Sequence, residues 1–70
     1  MKLTVTFNKL QERRMSQGFS VNSLAEASGV SRAHISAIEG HRRMPTVLVM
    51  CMLSETLRCQ PQDLFEWARR

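Results

Sequence analysis

The chain has 70 residues, which allows one small domain with a modest core. Hydrophobic residues make up 43% of it, which excludes disorder throughout, and ten Lys and Arg against six Asp and Glu leave a net charge of +4 that suits an anionic partner. No apolar signal segment is present in Met1 to Leu10, and the apolar run from Val47 to Leu53 is too short to span a bilayer, so a cytoplasmic protein with no membrane partner is expected.

Lys2 to Phe7 alternates polar and apolar side chains, the period of a strand. Residues 1–6 are therefore read as a short arm or strand, with Thr6 capping the first helix as the alternative. That helix is expected from Phe7 to about Gln17, ended by Gly18, with Phe7, Leu10 and Arg14 on one stripe. An arginine facing inward needs a partner, because an unpaired buried charge is very costly. A second helix is capped by Ser20 and ended by Gly29. A third runs from its N-cap Ser31 to Glu39, since no breaker intervenes before Gly40. On this third helix Ile35 and Ile38, with Val30 just before it, can turn toward a core, while Arg32, Ala33, Ser36 and Ala37 fall together on the opposite side and His34 sits at the border. A small, polar outer face led by arginine can lie against a flat-edged anionic body such as the major groove of DNA.

A basic loop follows, His41-Arg42-Arg43-Met44-Pro45, which Pro45 stops from continuing as helix. The fourth helix is expected over Thr46 to Leu57, with Val47, Met50, Cys51, Ser54 and Leu57 facing inward. Leu48, Val49 and Met52 are surplus to that stripe and suggest a second buried face. Pro61 opens the last helix, expected to carry Leu64, Phe65 and Trp67. Cys51 and Cys59 lie eight residues apart, roughly 12 Å along a helix and too far for a disulfide. The expectation is a buried free thiol at Cys51 in a reduced chain. His34, His41, Cys51 and Cys59 match no metal-ligand spacing, and neither a phosphate loop nor a nucleophile–base set is present, so no metal, no cofactor and no enzymatic activity are expected.

Two short helices joined by a glycine-containing turn, the second with a polar outer face, are the sequence form of a helix-turn-helix. Through Phe19-Ser20, Leu24-Ala25-Glu26, Gly29-Val30-Ser31-Arg32, Ile35-Ser36, Ile38-Glu39, Arg42-Arg43, Pro45, Leu57 and Leu64-Phe65 the chain resembles the XRE family, the DNA-binding domains like those of phage lambda Cro and repressor. The resemblance implies an all-α, compact five-helix domain over residues 1–70, with the helix-turn-helix at 20–39. It also implies that Arg14 pairs with Glu39 as a clamp between the first and third helices, two solvated charges being the alternative. Phosphate contacts are assigned to Ser20 at the start of helix two and to Arg42 and Arg43, and base-edge contacts to Arg32, Ala33, Ser36 and Ala37 beside the cap Ser31. His34 and His41 are further phosphate candidates.

Three departures from the family pattern stand out. Val21 replaces a glutamine able to touch phosphate, Gly40-His41 replaces Asn-Gly, and Arg58 stands where the family has glycine, in a position that demands a left-handed backbone or a different helix end. A single recognition helix reads few base pairs, so a homodimer on a palindromic operator is expected, with Leu48, Val49, Met52 and Trp67 as its surface. The function expected is a repressor or autoregulator of transcription. The alternative is an antitoxin or protein-interaction adaptor of the same fold, which would bury the arginine face in a protein partner.

Overall fold

Three helices begin on a hydroxyl that accepts a hydrogen bond from the amide three residues ahead: Ser20 from Ser23, Ser31 from His34 and Thr46 from Val49. The computed structural model describes residues 3–69, in the order β1 (Leu3–Asn8), α1 (Leu10–Ser16), α2 (Val21–Ser28), α3 (Arg32–Glu39), α4 (Val47–Thr56), α5 (Pro61–Leu64) and β2 (Phe65–Arg69). Met1 and Lys2, the first residues of the expected arm, and the terminal Arg70 lie outside the described residues. No helix among the described residues is long and apolar enough to cross a membrane.

Leu10, Leu24, Val30, Ile35, Ile38, Met50, Leu53, Leu57, Leu64 and Phe65 form one core, to which every helix and β2 contribute. Burying each large side chain contributes on the order of 1.5–3 kcal/mol. Gln17 Nε2 donates to the carbonyl of Leu57 at 2.8 Å, tying the end of α1 to the end of α4.

Beside the five expected helices stands a small sheet, which takes up the N-terminal segment read as an arm or strand and adds a C-terminal strand where helix was expected. β1 and β2 run antiparallel, with Leu3 opposite Arg69, Val5 opposite Trp67 and Asn8 opposite Phe65, and a bulge between Val5 and Phe7. The first helix consequently starts at Leu10 and not at Phe7, which lies half-exposed in β1. The last helix is one turn of four residues, and Phe65 and Trp67 belong to the strand that follows. Pairing with β1 sets this strand: Phe65 is buried while Glu66 and Trp67 reach solvent, and aromatic residues suit a pleated, half-buried surface.

On α4 the inward set is Met50, Leu53, Ser54 and Leu57, whereas Val47 and Cys51 point out. The helix is apolar almost all round, so its contacts with the other elements decide its rotation. Cys51 is therefore an exposed thiol, contrary to the buried one expected, and Cys59 is half-buried, with burial pushing its thiol pKa up against an opposing effect of Arg13. Arg58 takes φ 56°, the left-handed conformation that its glycine-like position demands.

Candidate nucleic-acid interface

The rotation of α3 is fixed from inside. Ile35 and Ile38 are fully buried and Val30 nearly so, which turns Arg32, Ala33 and Ser36 to solvent and leaves Ala37 half-buried. Gly29 makes the turn before it, at φ 81° with its N–H on the carbonyl of Ala25, a left-handed conformation that costs an L-residue about 1–2 kcal/mol. Ser31 is exposed, and its Oγ is engaged by the amide of His34 at 3.1 Å. His34 is half-buried. Its Nε2 is shielded from solvent and meets no hydrogen-bond partner among the described residues, so this ring leans on the protein and is the least free of the expected phosphate candidates.

Arg14, only 8% exposed, crosses from α1 to the end of α3. Its Nε donates to Glu39 Oε2 at 2.7 Å and its Nη2 to Oε1 at 3.2 Å, while Nη1 donates to the carbonyl of Phe19 at 2.8 Å. This two-pronged ion pair joins α1, α3 and the approach to α2. It also occupies Glu39, the one carboxylate on α3, so the outer face of that helix presents cationic and neutral groups only.

At the end of α3 the chain folds back, with the amides of His41 and Arg42 donating to the carbonyls of Ile38 and Ala37 at 3.1 and 2.8 Å. A Cβ on Gly40 would lie 2.5 Å from Arg42 Nη1, so glycine leaves room for that guanidinium to lie across the helix end. His41, Arg42 and Arg43 are all exposed, and His41 takes φ 58°. Asn8, which the sequence reading did not single out, reaches this turn from β1: its Nδ2 donates to the carbonyl of Ile38 at 3.2 Å and lies 3.4 Å from His41 Nδ1. The signal available was an amide side chain placed between an alternating segment and a helix, where it reads simply as a helix cap.

Ser20 is exposed at the start of α2, in a reciprocal capping box with Ser23 that pre-forms a helix end of partial positive charge. The exposed α3 side chains, the basic turn at the end of α3 and the capped start of α2 are all open to solvent. The sequence profile of the helix-turn-helix family matches residues 10–64, the whole span from α1 to α5. The chain belongs to the XRE-type helix-turn-helix family. That family consists of transcription regulators and not enzymes. The HTH-type transcriptional regulator SlrR of Bacillus subtilis (strain 168) is 39% identical over 54 residues, 76% of this chain but 36% of that protein, so the chain spans about a third of this relative. The restriction-modification controller protein C.AhdI from Aeromonas hydrophila has the same fold, with a TM-score of 0.76, 27% identity and coverage of 79% of this chain and 83% of that one. The transcriptional regulator VanUg matches in fold over 100% of this chain and 92% of its own, with a TM-score of 0.72 at 24% identity.

Away from the exposed side of α3, Leu48 is 69% exposed and Trp67 38%, whereas Val49 and Met52 are half-buried against the core. Met44 and Val47 are also exposed and, with Thr4, Val5, Pro45, Thr46 and Met50, line an apolar cleft of about 410 Å³ beside β1. His34, His41, Cys51 and Cys59 are not gathered: no group of three His, Cys, Asp or Glu able to hold a metal ion occurs among the described residues.

Proposed function

We propose that the chain is a cytoplasmic regulator that binds double-stranded DNA, with α3 in the major groove and the domain working as a homodimer on a two-fold operator, acting as a repressor or autoregulator. The observation carrying this reading is the division of α3. One side is core, and the other offers Arg32, Ala33 and Ser36 without a free carboxylate, because Glu39 is bound by Arg14. Arg32 at the helix start and the small side chains behind it suit base edges; Ser20, Arg42 and Arg43 suit the flanking phosphates.

The test is titration of the protein against a duplex carrying the region upstream of its own gene, at several salt concentrations. Arg42→Ala is expected to weaken every duplex alike and to reduce the slope of log K against log salt by about 0.9, the contribution of one phosphate contact. An unchanged slope removes Arg42 from the phosphate contacts, and absence of any duplex binding by the parent protein refutes the reading as a whole.

For the dimer, exposed apolar surface on α4 supports a seam that includes Leu48, with Val49 and Met52 beneath it and Trp67 on the neighbouring sheet. Leu48→Glu changes an outward side chain without opening the core, and is expected to convert the protein to monomers in sedimentation. Met52→Glu is the poorer probe, because Met52 packs on the core and its Cε lies 3.5 Å from where a Cβ on Gly29 would be. A Leu48→Glu protein of unchanged mass moves the seam elsewhere.

A further inference from the structure

We infer that Asn8 is a positioning residue for DNA binding: from β1 it holds the exposed His41 ring as the tautomer whose outward Nε2 carries the proton, so that the turn after α3 presents an N–H donor to a phosphate. The inference rests on the reading that this turn meets the DNA backbone.

The hydrogen bonds of one amide fix the assignment. Asn8 Oδ1 accepts from the Leu10 amide at 3.4 Å, and Asn8 Nδ2 donates to the Ile38 carbonyl at 3.2 Å. Turning the amide over would set its oxygen against that carbonyl and its NH₂ against the Leu10 N–H, losing both bonds. With Nδ2 facing the ring, His41 Nδ1, 3.4 Å away, is the acceptor, and the ring proton resides on Nε2. His41 is held at φ 58° as the left-handed residue of the turn that ends α3, its own amide donating to the Ile38 carbonyl and that of Arg42 to the Ala37 carbonyl. Asn8 meets that turn at two points, the Ile38 carbonyl and the His41 ring. Val5, Asn8, Ile38, Arg43, Met44 and Pro45 surround the small hollow beside His41, and Arg43 is the only charged side chain among them. Among the described residues the only side-chain hydrogen-bond partner of His41 Nδ1 is Asn8 Nδ2.

Nitrogen NMR of the free protein in mildly alkaline solution, where a histidine ring is neutral, tests the tautomer. The parent protein is expected to show a pyridine-type Nδ1 and a protonated Nε2. Asn8→Asp, which puts a carboxylate against Nδ1, is expected to exchange the two types, and identical ring shifts in parent and variant overturn the inference. On DNA, Asn8→Ala and His41→Ala are each expected to weaken binding about three- to tenfold, the scale of one hydrogen bond, and the double variant no more than either alone. Additive losses overturn action through His41. If the NMR result holds while neither variant alters DNA binding, the tautomer stands and the assignment of this turn to phosphate fails.

Discussion

Glu39→Ala is expected to destabilise the domain by about 3–5 kcal/mol, because it leaves the Arg14 guanidinium nearly buried without its counter-charge. A domain of this length has a total stability on the order of 4–10 kcal/mol, so the variant is expected to melt tens of degrees lower or to be largely unfolded. The loss is the cost of an orphaned charge more than the worth of the pair. Replacing both partners by apolar residues, Arg14→Met with Glu39→Leu, is therefore expected to recover most of it, less the hydrogen bond from Arg14 to the Phe19 carbonyl. Urea titration of the two single variants and the double variant makes the comparison. A Glu39→Ala loss below about 1 kcal/mol would class the pair with solvated surface bridges and remove the clamp from the account of the fold.

The same pair shows how stability and the proposed function are joined. The guanidinium that holds α1 against α3 also neutralises the one carboxylate at the end of α3, the helix proposed to enter the groove. Glu39→Gln separates the two roles. It keeps one acceptor oxygen toward Arg14 and loses the charge, so a smaller loss of stability is expected than for alanine.

What the sequence made legible was whatever is written locally. Ser20, Ser31 and Thr46 are capping residues followed by helix-compatible stretches, and all three caps are present with the hydrogen bonds that the residue types imply. The inward and outward sides of α3 were legible for the same reason, since Ile35 and Ile38 lie three apart and the residues between them are small or polar. The strand period of the N-terminal segment was legible too, but the C-terminal strand was not. Leu64-Phe65-Glu66-Trp67 after a helix-opening proline is compatible with a helix, and what makes Phe65 to Arg69 a strand is β1, some sixty residues earlier in the chain. The rotation of α4 was illegible on different grounds. Val47 to Leu53 is apolar at every position, so no stripe could be preferred, and Val47 and Cys51 were assigned inward where Leu53 belongs. Asn8 escaped notice because both of its partners at the turn, Ile38 and His41, are at least thirty residues away.

Arg32→Ala is expected to abolish discrimination while sparing attachment. Arg32 is the first residue of α3, exposed, and on the side away from the core, which is where a helix-turn-helix brings side chains to base edges. A guanidinium gripping guanine O6 and N7 contributes about 1–3 kcal/mol of preference, so the best operator is expected to lose about 5- to 150-fold in affinity while unrelated duplexes change little. Arg32→Lys sharpens the test, because lysine keeps the charge but lacks the fork. The lysine variant should bind unrelated DNA like the parent and still fail to distinguish the guanine position, as read from competition with duplexes mutated one base pair at a time. Full discrimination retained with lysine, or a uniform loss on all duplexes with alanine, would make Arg32 a phosphate contact and transfer base reading to Ala33, Ser36 and Ala37.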